Sequence, residues 1–136
     1  MTPDEARRRF VDARVAVLAT VDPTPAPHVV PVTFVVDGDT VWTAVDGKPK
    51  RSTRLRRLAN IRANPRTSLL VQHWDEDWHL LWWVRADGTA VITDDPDTLD
   101  RVVRLLRLKY DQYDDVSVDG PVIEITVHDW REWSAH

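Results

Sequence analysis

The chain has 136 residues, 43% hydrophobic and 29% charged, with a net charge of −4. That is the size of one domain, expected to span 1–136, and it can bury about two-thirds of its unfolded surface without a metal or disulfide staple. With no cysteine, a disulfide framework, a thiolate zinc site, an iron–sulfur centre and a thiol nucleophile are excluded. No apolar run approaches the roughly 20 residues of a membrane span, and Met1-Thr2-Pro3-Asp4-Glu5 lacks the basic and apolar regions of a signal peptide. The expectation is a soluble, cytoplasmic single domain.

In chain order, Thr2-Pro3-Asp4-Glu5 reads as a capped helix start, with Phe10 and Val11 of a helix ending near Asp12 facing the core. Arg14 to Val21 is β-rich, and Asp22-Pro23-Thr24-Pro25-Ala26-Pro27 breaks it. His28 to Val36 reads as a strand interrupted by Pro31, which cannot donate to a ladder and so predicts an edge, a bulge or a ligand-facing stretch. Asp37-Gly38-Asp39 is a hairpin turn into Thr40 to Val45. After the loop at Asp46 to Lys50, Ser52 or Thr53 caps a helix to about Ala63 with Leu55, Leu58 and Ile61 as its apolar stripe.

Asn64-Pro65 ends that helix. Thr67 to Trp74 and Trp78 to Arg85 read as strands joined by Asp75-Glu76-Asp77, with a further turn at Asp87-Gly88 into Thr89 to Thr93. Asp95-Pro96 starts a helix striped by Leu99, Val102, Val103, Leu106, Tyr110 and Tyr113. Gly120-Pro121 precedes a last strand, Val122 to Val127, and a tail carrying Trp130 and Trp133. Short hairpin links make the sheet antiparallel. About seven strands with three short helices predict a mainly β, α+β domain: a small closed barrel with helices plugging its ends.

Charge is unevenly placed. Residues 47–74 hold Lys48, Lys50, Arg51, Arg54, Arg56, Arg57, Arg62 and Arg66 and no acid, on an otherwise acidic chain. Lys48-Pro49-Lys50-Arg51-Ser52-Thr53 at a helix start joins free N–H groups, the positive dipole end, bidentate arginine and hydroxyl donors, a combination that suits an anion. A plain solvated basic helix is the competing reading. A nucleic-acid track is disfavoured, because few aromatics interleave and the remaining surface repels phosphate.

Seven tryptophans in 136 residues are the second anomaly, four of them at Trp74, Trp78, Trp82 and Trp83. Alternation over 78–85 puts Trp78, Leu80, Trp82 and Val84 on one face and His79, Leu81, Trp83 and Arg85 on the other. Both faces are mostly apolar, so beyond core packing a partner subunit or a ring-shaped ligand is expected to cover one of them. The histidines show no metal-ligand spacing, and no metal site is expected. No phosphate-binding glycine loop or nucleophile elbow is present. Catalysis without nucleophile, metal or thiol points to a borrowed cofactor.

Val17-Leu18-Ala19-Thr20-Val21, the proline-rich turn and Val29-Val30-Pro31-Val32 together resemble the opening of the pyridoxamine 5′-phosphate oxidase-like split-barrel superfamily. Asn64-Pro65-Arg66-Thr67-Ser68-Leu69-Leu70-Val71 and Ala86-Asp87-Gly88-Thr89-Ala90 extend the resemblance over nearly the whole chain. Lys48-Pro49-Lys50-Arg51-Ser52 with Leu81-Trp82-Trp83-Val84-Arg85-Ala86-Asp87-Gly88 is most similar to the branch that uses the deazaflavin coenzyme F420.

The resemblance implies a split barrel and a homodimer with cofactor at the subunit interface. Val30, Pro31 and Val32 would meet the ring system through their backbone, and Thr43 and Ala44 would lie beneath it. Lys48, Lys50, Arg51, Ser52 and Thr53 would hold the phosphate and acidic tail, with Arg56 and Arg57 in reserve. Related chains carry a basic residue and an asparagine just before Asn/Asp-Pro; Arg57 and Asn60 fill that pattern here and form the alternative phosphate cluster. The implied activity is hydride transfer between the deazaflavin C5 and a small conjugated substrate, with a proton from water or from His73 or His79. An FMN-binding oxidase or flavin reductase, and a non-catalytic carrier, are the competing readings.

Overall fold

The computed structural model describes residues 1–45, 51–118 and 120–136, with 51–55 described through their helical backbone alone. Helix α1 (Pro3–Asp12) is set by a capping box: the Thr2 hydroxyl accepts from the Glu5 N–H at 3.2 Å, and the Glu5 carboxylate accepts from the Thr2 N–H at 3.1 Å. Ala6 and Phe10, one turn apart, are buried, whereas Val11 is exposed, contrary to its expected place in the core. Val11 stands about 100° round the helix from Phe10, outside the narrow stripe that the barrel covers.

Strands β1 (Ala16–Val21), β2 (Pro27–Val32), β3 (Val35–Asp37) and β4 (Thr40–Ala44) precede helix α2 (Arg51–Ala63). Strands β5 (Arg66–His73) and β6 (Trp82–Thr93), helix α3 (Pro96–Lys109) and strand β7 (Val122–Ser134) complete the fold. All seven strands form one antiparallel sheet in the order β2-β1-β5-β6-β7-β4-β3. β2 and β3 lie at opposite ends of that order, yet only Thr33 and Phe34 separate them in the chain. Because a residue spans at most about 3.6 Å, the sheet must curl until its two edges face each other. The two edges are joined there by covalent chain and not by a ladder, so the barrel is split and not closed as its strand count suggests.

Alternation fills the interior. Ala16, Leu18 and Thr20 of β1, Thr67, Leu69 and Val71 of β5, and Val84, Ala86 and Ala90 of β6 point inward around Phe10 and Phe34. A second apolar cluster lies outside the barrel, where Val102 and Leu106 of α3, with Tyr110 and Tyr113 beyond it, cover Val35, Trp42 and Val122.

Several boundaries differ from the expected ones. The break after His28 comes at Thr33–Phe34, and Pro31 sits inside edge strand β2, where its missing N–H costs no ladder bond if it faces outward. Trp78–Leu80 form a 3₁₀ turn and not a strand, because the Asp77 carboxylate caps it by accepting from the His79 N–H at 3.1 Å. The expected two-faced alternation therefore starts only at Trp82, and Trp74, Trp78 and Leu80 are exposed.

Asp87-Gly88 is not a hairpin turn. β6 runs straight through it, and the irregularity is a bulge: Asp87 opposes Asp129 and Gly88 opposes Val127, leaving His128 as the extra residue of β7. A side chain at Gly88 would put its Cβ 2.3 Å from the Thr126 carbonyl oxygen, so the close approach of β7 requires glycine. The same bulge reverses the facing of β7. Ile123, Ile125 and Val127 point inward before it, and Trp130 does so after it, edge-on to Phe10 at 5.1 Å. The expected tail is thus an ordered half of the longest strand.

Candidate functional site

The curl that brings β2 beside β3 also brings the end of β2 beside the end of β4. Between them lies a cleft of about 250 Å³ lined by Val15, Pro31, Val32, Thr33, Thr43, Ala44, Val45 and Arg57. Its β4 wall is fixed by two bonds, Val45 N–H to the Pro121 carbonyl and Gly120 N–H to the Val45 carbonyl, each 3.2 Å. Gly120 permits this approach, since a Cβ there would lie 2.6 Å from that of Val45.

Five of the expected site residues, Pro31, Val32, Thr43, Ala44 and Arg57, meet in this cleft. Val30 does not line it: it shares the inward face of β2 with Val32 and packs against the core. Arg51, Ser52 and Thr53 form the first turn of α2, and Lys48 and Lys50 lie outside the described residues. Arg56 is exposed and stands by the β1–β2 turn, not in the cleft. There the Thr24 hydroxyl, the Ala26 and Thr24 N–H groups and the Arg56 charge hold the Asp22 carboxyl below its ordinary range, against a small desolvation.

Asn60 is buried in the barrel wall, and its side-chain amide donates to the Thr20 hydroxyl at 3.1 Å. Its described role is to tie α2 to β1, one turn beyond Arg57. His73 and His79 lie elsewhere. His73 stacks on Trp82 with centroids 5.8 Å apart, and His79 pairs with Asp77 at 3.1 Å and stacks on His136. Neither lines the cleft.

Val15, Thr33 and Val45 are cleft residues that sequence reasoning missed. Next to Thr33 stands a polar cluster that it also missed. Lys109 Nζ donates to the Val11 and Phe34 carbonyls at 3.0 and 3.1 Å, and burial, with Arg14 nearby outweighing Asp12, lowers it to about 8. The Tyr110 hydroxyl accepts from the Phe34 N–H at 3.2 Å and is pushed up by burial. These contacts hold the Thr33–Phe34 crossing in place from outside the barrel. Among the described residues, two larger clefts, of about 520 and 660 Å³, contain none of the expected site residues.

A split antiparallel barrel with a cleft at its open edge and a basic helix beside that cleft defines an α+β split-barrel protein. A family model described as pyridoxamine 5′-phosphate oxidase matches residues 2–134, and the chain belongs to that family. Among solved structures, the conserved hypothetical protein Rv2991 from Mycobacterium tuberculosis aligns at 23% identity and a TM-score of 0.81, over 100% of this chain and 86% of that one. A FAD-binding protein from Mesorhizobium loti aligns at 19% identity and 0.69, over 97% and 92%. HutZ, the heme storage protein of Vibrio cholerae, aligns at 15% identity and 0.72, over 97% and 93%. These three likenesses are likenesses of fold. No curated protein matches. Among the described residues no helix is long and apolar enough to cross a membrane.

Proposed function

We propose that this chain is an F420-dependent oxidoreductase, a homodimer that binds the deazaflavin at its open barrel edge and reduces a small conjugated substrate. The observation that carries the reading is the meeting of Pro31, Val32, Thr43, Ala44 and Arg57 in one cleft. These residues fit a flat ring with an anionic tail. Pro31, Val32, Ala44 and Val45 offer apolar walls, and the outer edge of β2 carries backbone groups that no strand among the described residues pairs, suited to the ring heteroatoms. Arg57 and the start of α2, with Arg51, Ser52 and Thr53, suit a phosphate. Lys48 and Lys50 add charge for the acidic tail. Eight bases within acid-free 47–74 exceed the need of one phosphate, which favours the polyanionic deazaflavin over FMN.

A cleft of about 250 Å³ is smaller than the ~300–1,000 Å³ of a complete small-molecule site, which supports a site finished by a second copy. Exposed Trp74, Trp78 and Trp133 supply apolar surface for that contact. When bound, reduced deazaflavin supplies a hydride at C5 for an electron-poor carbon. The chain's part is to orient the ring on the β2 edge, hold the tail and exclude water. The proton that completes the reduction, on the neighbouring carbon, comes from water, His73 and His79 being set away from the cleft.

An FMN-dependent oxidase or flavin reductase is the second reading, favoured by the family and by a structural neighbour described as FAD-binding. Titration of the purified protein with F420 and with FMN, read on each cofactor's own absorbance, tests both. Tighter binding of F420, followed by turnover of a conjugated substrate by the reduced complex, is expected. Tighter binding of FMN replaces the first reading by the second. Binding of F420 without turnover of any conjugated acceptor leaves a carrier, and binding of neither ends the cofactor reading.

A further inference from the structure

A second cleft adjoins the one just described. It measures about 360 Å³ and is lined by Arg14, Thr33, Tyr110, Gln112, Tyr113 and Val116. Thr33 lines both clefts, and the consecutive residues Arg14 and Val15 line one each, so a single backbone segment on either side forms the divide.

The side cleft is built from an aromatic corner. Tyr110 and Tyr113 meet edge to face, with centroids 5.9 Å apart and planes at 83°. The narrow part of each ring that reaches the cleft gives a flat third ring an aromatic edge to pack on. Both rings are nearly buried and locked by their hydroxyls. Tyr113 shares a 2.6 Å hydrogen bond with Thr33 Oγ1, and Tyr110 donates to the Arg14 carbonyl at 3.0 Å. A pre-set corner loses little freedom when a ligand enters.

At its rim is a cation. The Arg14 guanidinium lies 4.5 Å from the Tyr110 ring centroid. Among the described residues it forms no ion pair. Lys109 adds positive charge nearby, although it donates to the Val11 and Phe34 carbonyls. A guanidinium close to a tyrosine ring keeps N–H donors whose fork geometry matches a carboxylate.

We propose that this side cleft binds a small planar carboxylate, an aromatic or conjugated acid, with its ring in the Tyr110–Tyr113 corner and its carboxylate on Arg14. The volume falls inside the ~300–1,000 Å³ range of small-molecule sites. Gln112, exposed at the rim, offers an amide to a further polar substituent. Binding stands on these residues alone. That the acid is the substrate of the oxidoreductase rests on the cofactor reading of the adjoining cleft.

The test uses cofactor-free protein with cinnamate as the probe and cinnamamide as its uncharged counterpart, followed by backbone amide shifts. Cinnamate is expected to saturate and to move the signals of Thr33, Gln112 and Tyr113. Arg14→Gln, an exposed substitution checked by an unchanged thermal midpoint, is expected to weaken cinnamate about tenfold or more, and Arg14→Lys less. Cinnamamide is expected to bind wild type no better than cinnamate binds Arg14→Gln. Equal affinity of wild type and Arg14→Gln, shifts confined to other regions, or no saturable binding overturns the site. F420 and FMN titrations are read separately: their failure on wild type removes the cofactor reading, whereas loss of the cinnamate effect in protein that binds cofactor removes this site only.

Discussion

Asn60 and Thr20, forty residues apart in sequence, share a buried hydrogen bond of 3.1 Å that fixes α2 against the barrel wall. Replacing Asn60 with leucine leaves the Thr20 hydroxyl buried without that donor, a loss of about 1–3 kcal/mol. Urea unfolding is expected to show that loss. Because Arg57 stands one turn earlier on the same helix, cofactor affinity is expected to fall with it. An unchanged midpoint removes the assigned role of the pair.

Arg57 lines the β2–β4 cleft and Arg56 does not, although the two are adjacent. Arg57→Ala is expected to weaken cofactor binding about tenfold, the scale of one charge-assisted hydrogen bond, while Arg56→Ala changes it far less. Lys50→Ala with Arg51→Ala tests the start of α2 in the same titration. If only the double substitution weakens binding, the anion sits at the helix start and Arg57 is a bystander.

Lys109 is lowered to about 8 by burial, from 10.5 for a free lysine. Between those values the unfolded chain holds a proton that the folded chain has shed, so this group's contribution to stability rises with pH across that window. Tyr110, pushed up by burial, acts in the opposite sense above about pH 10, which leaves pH 8 to 10 as the useful range. Denaturation curves are expected to show a smaller rise in Lys109→Met than in wild type there. A steeper rise in the variant contradicts the burial argument.

Trp83 opposes Trp133 across the β6–β7 ladder, and Trp133 is 46% exposed. In the proposed dimer this pair lies in the contact, which for an obligate interface exceeds ~2,000 Å². Trp83→Glu puts an unpaired charge there and is expected to separate the subunits and weaken cofactor binding together. Light scattering at micromolar concentration decides it, and a wild-type monomer that binds cofactor ends the shared-site proposal.

Much of the fold was legible because its signals are local. The capping box at Thr2–Glu5, the Asp37-Gly38-Asp39 turn and the stop at Asn64-Pro65 need only neighbouring residues, and all three stand where expected. Among the described residues the strand total of seven also agrees, although the partition does not: one expected strand is two, and two expected strands are the single β6. Asp87-Gly88 carries turn chemistry, yet whether such a pair turns or bulges depends on the strand opposite, and here the Thr126 carbonyl decides. Trp130 gave no sign of facing inward, because the reversal at His128 is a property of the ladder between β6 and β7.

For the site, the sequence by itself determined the chemistry on offer: an acid-free basic stretch over 47–74, a proline in a strand, no cysteine and clustered tryptophans. Composition and short-range order fix such things, because they survive any arrangement of the chain. Only the tertiary structure decided which of these residues meet. Pro31 and Thr43 are neighbours because a two-residue link forces the sheet to curl, and Arg57 joins them because Asn60 pins its helix to β1. Tyr113 reaches Thr33 across 80 residues of sequence for the same reason, and so the aromatic corner beside the cleft has no sequence signature at all.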